Sequence, residues 1–167
     1  RLIGQSIKSQ RDQWVIATKV GLPSHASPEG LGRKENIFER VDQSLKRLCT
    51  DYIDLYQLHH FDPLTELEET LEAFELLIQQ GKIRYAGCSN YNFSQLSQFT
   101  QLSTKNHCNG FVSVQSHYNL FKRQIEKQTL PFCSTQKIGV LVYGALGRGV
   151  LTEKYLTANS HSTYQNR

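Results

Sequence analysis

Tyr52-Ile53-Asp54-Leu55-Tyr56-Gln57-Leu58 reads as a β-strand, and Ile83-Arg84-Tyr85-Ala86-Gly87, leading into Cys88-Ser89-Asn90, reads as a second. Between them Leu67, Leu71, Phe74 and Ile78 recur at helical spacing as far as Gly81, and Thr65 with Glu68 offers a reciprocal capping box. A strand, a helix and a strand in this little chain imply two parallel strands joined by a crossover helix.

The same unit extends in both directions. Trp14-Val15-Ile16-Ala17-Thr18 precedes it, and Phe111-Val112-Ser113-Val114-Gln115 and Ile138-Gly139-Val140-Leu141-Val142-Tyr143 follow. Measured between residues 15, 54, 84, 113 and 140 the steps are 39, 30, 29 and 27, room for one helix in every gap. Ile37, Val41, Leu45 and Leu48 mark a helix over residues 35–48, and Asn92 with Gln95 caps another that carries Leu96, Phe99 and Leu102. Residues 122–136 are less regular, with Pro131 placed to begin a short helix. Gly21 to Arg33 reads as a long strand-to-helix loop.

The expected class is α/β, with about five parallel strands and intervening helices. Periodicity alone leaves both an open doubly wound sheet and a (β/α)8 barrel. A full barrel takes about 250 residues, so as a barrel this chain is a partial one, with five of the eight strands. Residues 1–155 are expected to form one incomplete barrel domain, and 156–167 a polar tail or the start of a long loop.

The 167 residues include 19 Lys and Arg against 15 Asp and Glu, and 38% are hydrophobic, which fits a globular unit and not a disordered chain. The absence of Met fits a processed chain or an interior segment. No apolar run is long enough to cross a membrane, and the basic stretches lack the aromatic interleaving of a nucleic-acid surface. Neither a membrane nor nucleic acid is therefore an expected partner. Cys49, Cys88, Cys108 and Cys133 are widely spaced without a CxxC pair, which fits reduced thiols in the cytoplasm better than a disulfide framework or a metal site.

The chemistry gathers at strand ends: Thr18-Lys19, His59, Ser89-Asn90, Gln115 and Tyr143. In a parallel βα fold these ends share one face, where residues distant in sequence surround one cleft. Lys19 is a fixed positive charge, a Schiff-base nucleophile or a surface lysine. His59 donates to a carbonyl or tunes a proton donor, and His60 is placed to face the opposite side of the strand. Gly87 permits close approach, and Ser89, Asn90 and Gln115 can recognise an amide. Tyr143 is either a stacking face or a core tyrosine. Gly144-Ala145-Leu146-Gly147-Arg148-Gly149 can bring backbone amides toward phosphates, with Arg148 either neutralising phosphate or forming a surface ion pair.

Four segments, in this order and spacing, resemble the aldo-keto reductase family: Ile16-Ala17-Thr18-Lys19; Ser44-Leu45-Lys46-Arg47-Leu48 followed by Tyr52 to His59; Gly81-Lys82-Ile83-Arg84 running to Gly87-Cys88-Ser89-Asn90; and Leu146-Gly147-Arg148-Gly149-Val150-Leu151-Thr152. The resemblance covers about Arg1 to Tyr155 and selects the barrel. It implies hydride transfer between NADPH and an aldehyde or ketone, or the reverse oxidation of an alcohol. NAD stays open, because the family's residues around the adenosine phosphate fall beyond Arg167.

By the same resemblance Lys19 and His59 match catalytic positions, Ser89, Asn90 and Gln115 match residues that hold the nicotinamide amide, and Tyr143 matches the stacking aromatic. Gly144, Leu146 and Arg148 fall in the cofactor-contacting loop, where the family's usual Ser-Pro is Gly144-Ala145. The family's catalytic Asp and Tyr are expected upstream of Arg1 and its last strand beyond Arg167, with three of the eight barrel strands lacking in all. The segment alone is therefore expected to be weakly active or inactive, and to self-associate or take a partner chain along its unclosed edges. Two other readings stay open: a nicotinamide-binding accessory subunit with little turnover, and a lyase acting through a Lys19 Schiff base.

Overall fold

The computed structural model describes residues 2–20 and 30–153. The expected tail from 156, and most of the expected loop from Gly21, lie outside the described residues. Helix α1 (Leu2–Ile7) and a 3₁₀ segment (Lys8–Gln13) lead into β1 (Ala17–Val20). Then α2 (Lys34–Leu48), β2 (Ile53–Leu58), α3 (Leu67–Gln79), β3 (Ile83–Ser89), α4 (Phe93–Lys105), β4 (Ser113–His117), α5 (Thr129–Gln136) and β5 (Gly139–Tyr143) alternate.

The strands lie in chain order, β1-β2-β3-β4-β5, and every pairing is parallel. The sheet does not close on itself, as expected of a partial (β/α)8 barrel. Among the described residues no helix is long and apolar enough to cross a membrane. All four cysteines are free thiols.

One sheet face carries the helices. Ile37 and Val41 of α2, Leu71, Phe74 and Leu77 of α3, and Leu96 and Phe99 of α4 are buried against Tyr56, Leu58, Ala86, Cys88 and Val114 of the strands. Each such aliphatic or aromatic side chain contributes about 1.5–3 kcal/mol on burial. Phe111 sits among these rings, 3.8 Å from Phe99 in a stacked arrangement, so it belongs to the core and β4 begins two residues later.

Local signals were kept or overruled according to what else was nearby. Asn92 and Gln95 form the expected capping box at α4. Thr65 does not cap α3, because its hydroxyl donates to buried Asp62 (2.7 Å), which also accepts from the Gly32 and Leu64 amides. A buried carboxylate needs several donors, and here that demand outweighs an ordinary cap. Pro131 lies in the first turn of α5, where its missing N–H costs nothing.

At the N-terminal end of the sheet a charged clamp sets where β1 starts. Asp54 accepts from Arg11 (2.6 Å), the Ile16 amide (2.9 Å) and Arg84 (3.1 Å), and both guanidinium groups lie over the Tyr52 ring, 3.9 and 4.1 Å from its centroid. Arg11 also donates to the carbonyl of Trp14, which is 52% exposed, so the expected strand over residues 14–18 is displaced to Ala17–Val20. Burial alone would raise the Asp54 pKa, but the Ile16 amide and the two arginines outweigh it and hold the carboxyl below its ordinary value. The clamp's stabilisation is thus present above the ordinary carboxyl pKa and is lost as pH falls through the lowered one. Asp54→Ala is expected to destabilise the chain by about 2–4 kcal/mol in urea unfolding followed by circular dichroism, and to flatten the acid limb of the stability profile.

Candidate functional site

Side chains alternate along a strand, so the parallel register sorts them into rows across the inner face, opposite the helices. Lys19, Gln57, Gly87, Ser113 and Gly139 share one row. Ser89, Gln115 and Leu141 share the next, and His117 and Tyr143 a third. The row of Gly87 is crowded, since a Cβ there would lie 2.7 Å from Ser113 Oγ and 3.2 Å from Gln57 Cγ. The close approach expected at this glycine is therefore to Gln57 and Ser113.

Main-chain bonds extend past the strand ends. The His59 amide donates to Val20 O (2.7 Å), and the Asn90 amide to Gln115 O (2.9 Å). Asn90 has a left-handed backbone, φ 60°, which its short amide side chain tolerates. That geometry turns the side chain across the rim: Nδ2 donates to His59 O (3.0 Å) and Ser89 Oγ (3.1 Å), while Oδ1 accepts from the Tyr143 hydroxyl (2.7 Å). Ser89 Oγ in turn donates to Gln115 O (3.1 Å). The structure thus brings His59, Ser89, Asn90, Gln115 and Tyr143 into one connected rim, with Lys19 on the neighbouring strand.

Burial lowers the His59 pKa, and the neighbouring His60 and Lys19 lower it further, which favours the uncharged imidazole. Its Nδ1 is buried without a hydrogen-bond partner, as are Gln57 Nε2 and Ser113 Oγ. His60 does not face the opposite side of a strand. Both histidines follow the end of β2 and their rings stack, 4.7 Å apart and 2° from parallel. Tyr143 is no core tyrosine either, being 38% exposed at the end of an edge strand.

The loop after β5 is open. Leu146 is exposed, as is Arg148, whose φ is 57°, and neither side chain makes a hydrogen bond or ion pair among the described residues. The amides of Gly147 and Gly149 turn inward to Gly144 O and Leu146 O, which removes them as phosphate donors, whereas those of Ala145, Leu146 and Arg148 have no partner among the described residues.

Sequence reasoning missed Gln57, Ser113, His117 and Asn119. The first two are hidden inside strands, where only register reveals that they flank Gly87. His117 escaped because the apolar pattern of β4 stops at Gln115 while the strand continues for two residues. Tyr52 and Tyr56 do not reach the rim: Tyr52 belongs to the clamp at the other end, and Tyr56 is fully buried on the helix side.

The aldo-keto reductase YhdN of Bacillus subtilis is 41% identical over 162 residues, 92% of this chain and 45% of that protein. YqkF of the same organism, described as an uncharacterized oxidoreductase, is 38% identical over 168 residues, 99% of this chain and 53% of that protein. The holo form of the aldo-keto reductase AKR11C1 from Bacillus halodurans superposes with a TM-score of 0.76 at 34% identity, covering 90% of this chain and 47% of that one. The chain therefore spans about half the length of these relatives. The aldo/keto reductase family pattern matches residues 1–167, and the chain belongs to the aldo/keto reductase family.

Proposed function

We propose that this chain supplies the nicotinamide-holding and histidine-bearing part of an NADPH-dependent oxidoreductase that interconverts carbonyls and alcohols. The observation that carries the reading is the Asn90 bridge. One amide side chain ties the His59 backbone to the Tyr143 hydroxyl, so the hydrogen-bonding and ring-stacking ends of the rim are held as one piece.

The residues fit the cofactor. Asn90 Oδ1 keeps one lone pair after accepting from Tyr143, the Gln115 amide has no partner among the described residues, and Ser89 adds a hydroxyl. These three hold the carboxamide, Tyr143 offers a ring face, and Arg148 with Leu146 and Gly144 borders the route to the phosphates. Bound NADPH supplies the hydride. His59, kept neutral, orients the substrate carbonyl by a hydrogen bond, and the Lys19 cation stabilises a neighbouring phenolate. The open phosphate loop favours NADPH no more than NADH, so the choice of NADPH rests on the family resemblance. The substrate is a small aldehyde, ketone or alcohol, free cysteines fit a cytoplasmic setting, and the unpaired edges of β1 and β5 favour self-association or a partner chain.

An accessory, cofactor-binding role is the second reading, favoured by a rim whose one phenol, among the described residues, already donates to Asn90. Carbonyl-dependent NADPH oxidation separates the two. In a longer parent chain Lys19→Met and His59→Gln are each expected to lower kcat/KM by about 10²–10⁴ with cofactor affinity retained, and the 167-residue chain is expected to show weak turnover at most. Full parental activity from the short chain would contradict this division of labour, and cofactor binding without turnover in the parent would establish the accessory role. Proton NMR should place the His59 titration below that of an ordinary histidine, moving upward in Lys19→Met; the sign follows from removing a like charge.

A further inference from the structure

We propose that His117 is a positioning residue that fixes the Tyr143 ring as a rigid platform for a planar nitrogen heteroaromatic, and that Gly144 is the residue that makes room for it. The inference rests on the nicotinamide reading above and adds a residue and a reason to it.

A tyrosine at the end of an edge strand has few neighbours to hold it. Tyr143 is nonetheless fixed at three points. Its hydroxyl donates to Asn90, its carbonyl accepts from the Tyr118 amide (3.3 Å), and its ring stacks on the His117 imidazole, centroids 5.0 Å apart and planes 15° from parallel. The imidazole is braced in turn. Asn119 Nδ2 lies 3.3 Å from His117 Nε2 and donates to Gly144 O (2.8 Å), while its Oδ1 accepts from the Phe121 and Lys122 amides. One face of the Tyr143 ring is therefore backed, and the other is assigned to the ligand.

Gly144 completes the device. Its φ of +67° lies in the left-handed region, and a Cβ there would stand 2.7 Å from His117 Nε2. Any side chain would strain the backbone and displace the imidazole. The departure from Ser-Pro noted in the sequence thus has a physical partner two residues beyond Gln115. His117 is exposed and Tyr143 partly so, so their contact adds little to a buried core. Holding the ring still removes an ordering cost from ligand binding, and that is where its effect should be read.

The test is an NMR titration of the chain with nicotinamide mononucleotide, which carries the ring on one ribose phosphate and no adenosine, and with NADP+. His117→Ala is expected to raise both dissociation constants about five- to tenfold, the worth of one aromatic contact, and His117→Phe to return them to within about twofold. Gly144→Ser should weaken binding similarly, and the double variant should be no weaker than the worse single one, because both changes disable one device. A thermal midpoint for His117→Ala within about 2 °C of the parent keeps the effect apart from folding. Unchanged affinity in His117→Ala, or no recovery in His117→Phe, overturns the platform and leaves the nicotinamide reading standing. If the parent chain binds neither ligand, that reading falls and takes the platform with it.

Discussion

Three hydrogen bonds that run beyond the ends of the strands hold the candidate site together. His59 reaches back to Val20, Asn90 forward to Gln115 and Tyr118 forward to Tyr143, each amide just past one strand finding a carbonyl of a neighbouring strand. The parallel register is thereby prolonged into the loops, the region where chain is ordinarily free to wander. Because side chains alternate along each strand, the same register decides which of them share the inner face. Displacing one strand by a single residue would send its polar side chains to the helix side and its apolar ones to the rim.

The two ends of the sheet solve different problems. At the N-terminal end the buried carboxylate is fully partnered: two guanidinium groups and a backbone amide donate to it, and both guanidinium groups lie over an aromatic ring. Elsewhere polar atoms are left incomplete: His59 Nδ1 just past β2, Gln57 Nε2 and Ser113 Oγ in the row of Gly87, and Tyr56 Oη on the helix side are buried without partners. Leaving a buried polar atom unsatisfied costs about 1–3 kcal/mol. The clamp and the candidate site thus lie toward opposite ends of the strands, an arrangement that parallel βα architectures share.

Much of this was legible in the sequence because local and global signals agreed. The spacing of Leu71 and Phe74, the Asn92 cap and the strand around Leu55 each specify one structure with little help from elsewhere. Boundaries were harder. Where Trp14 and Val15 read as strand, Arg11 and Asp54, about forty residues apart, set the start of pairing instead. Thr65 carried a valid capping signal that a buried carboxylate overruled. In the candidate site, Lys19, His59, Ser89, Asn90, Gln115 and Tyr143 could be read as candidates because each lies at the end of an apolar run. Gln57, Ser113 and His117 matter through neighbours on other strands, and no linear pattern encodes those contacts.

Trp14 carries a consequence of its own. The chain has one tryptophan, and it sits immediately before β1, with its carbonyl held by Arg11, at the far end from Tyr143. Its fluorescence therefore registers fraying of the first strand and the solvent at that end, and is insensitive to direct contact at the rim. Emission intensity and wavelength follow the foundations of this chain, while its mouth is visible to tyrosine absorbance and imidazole resonances.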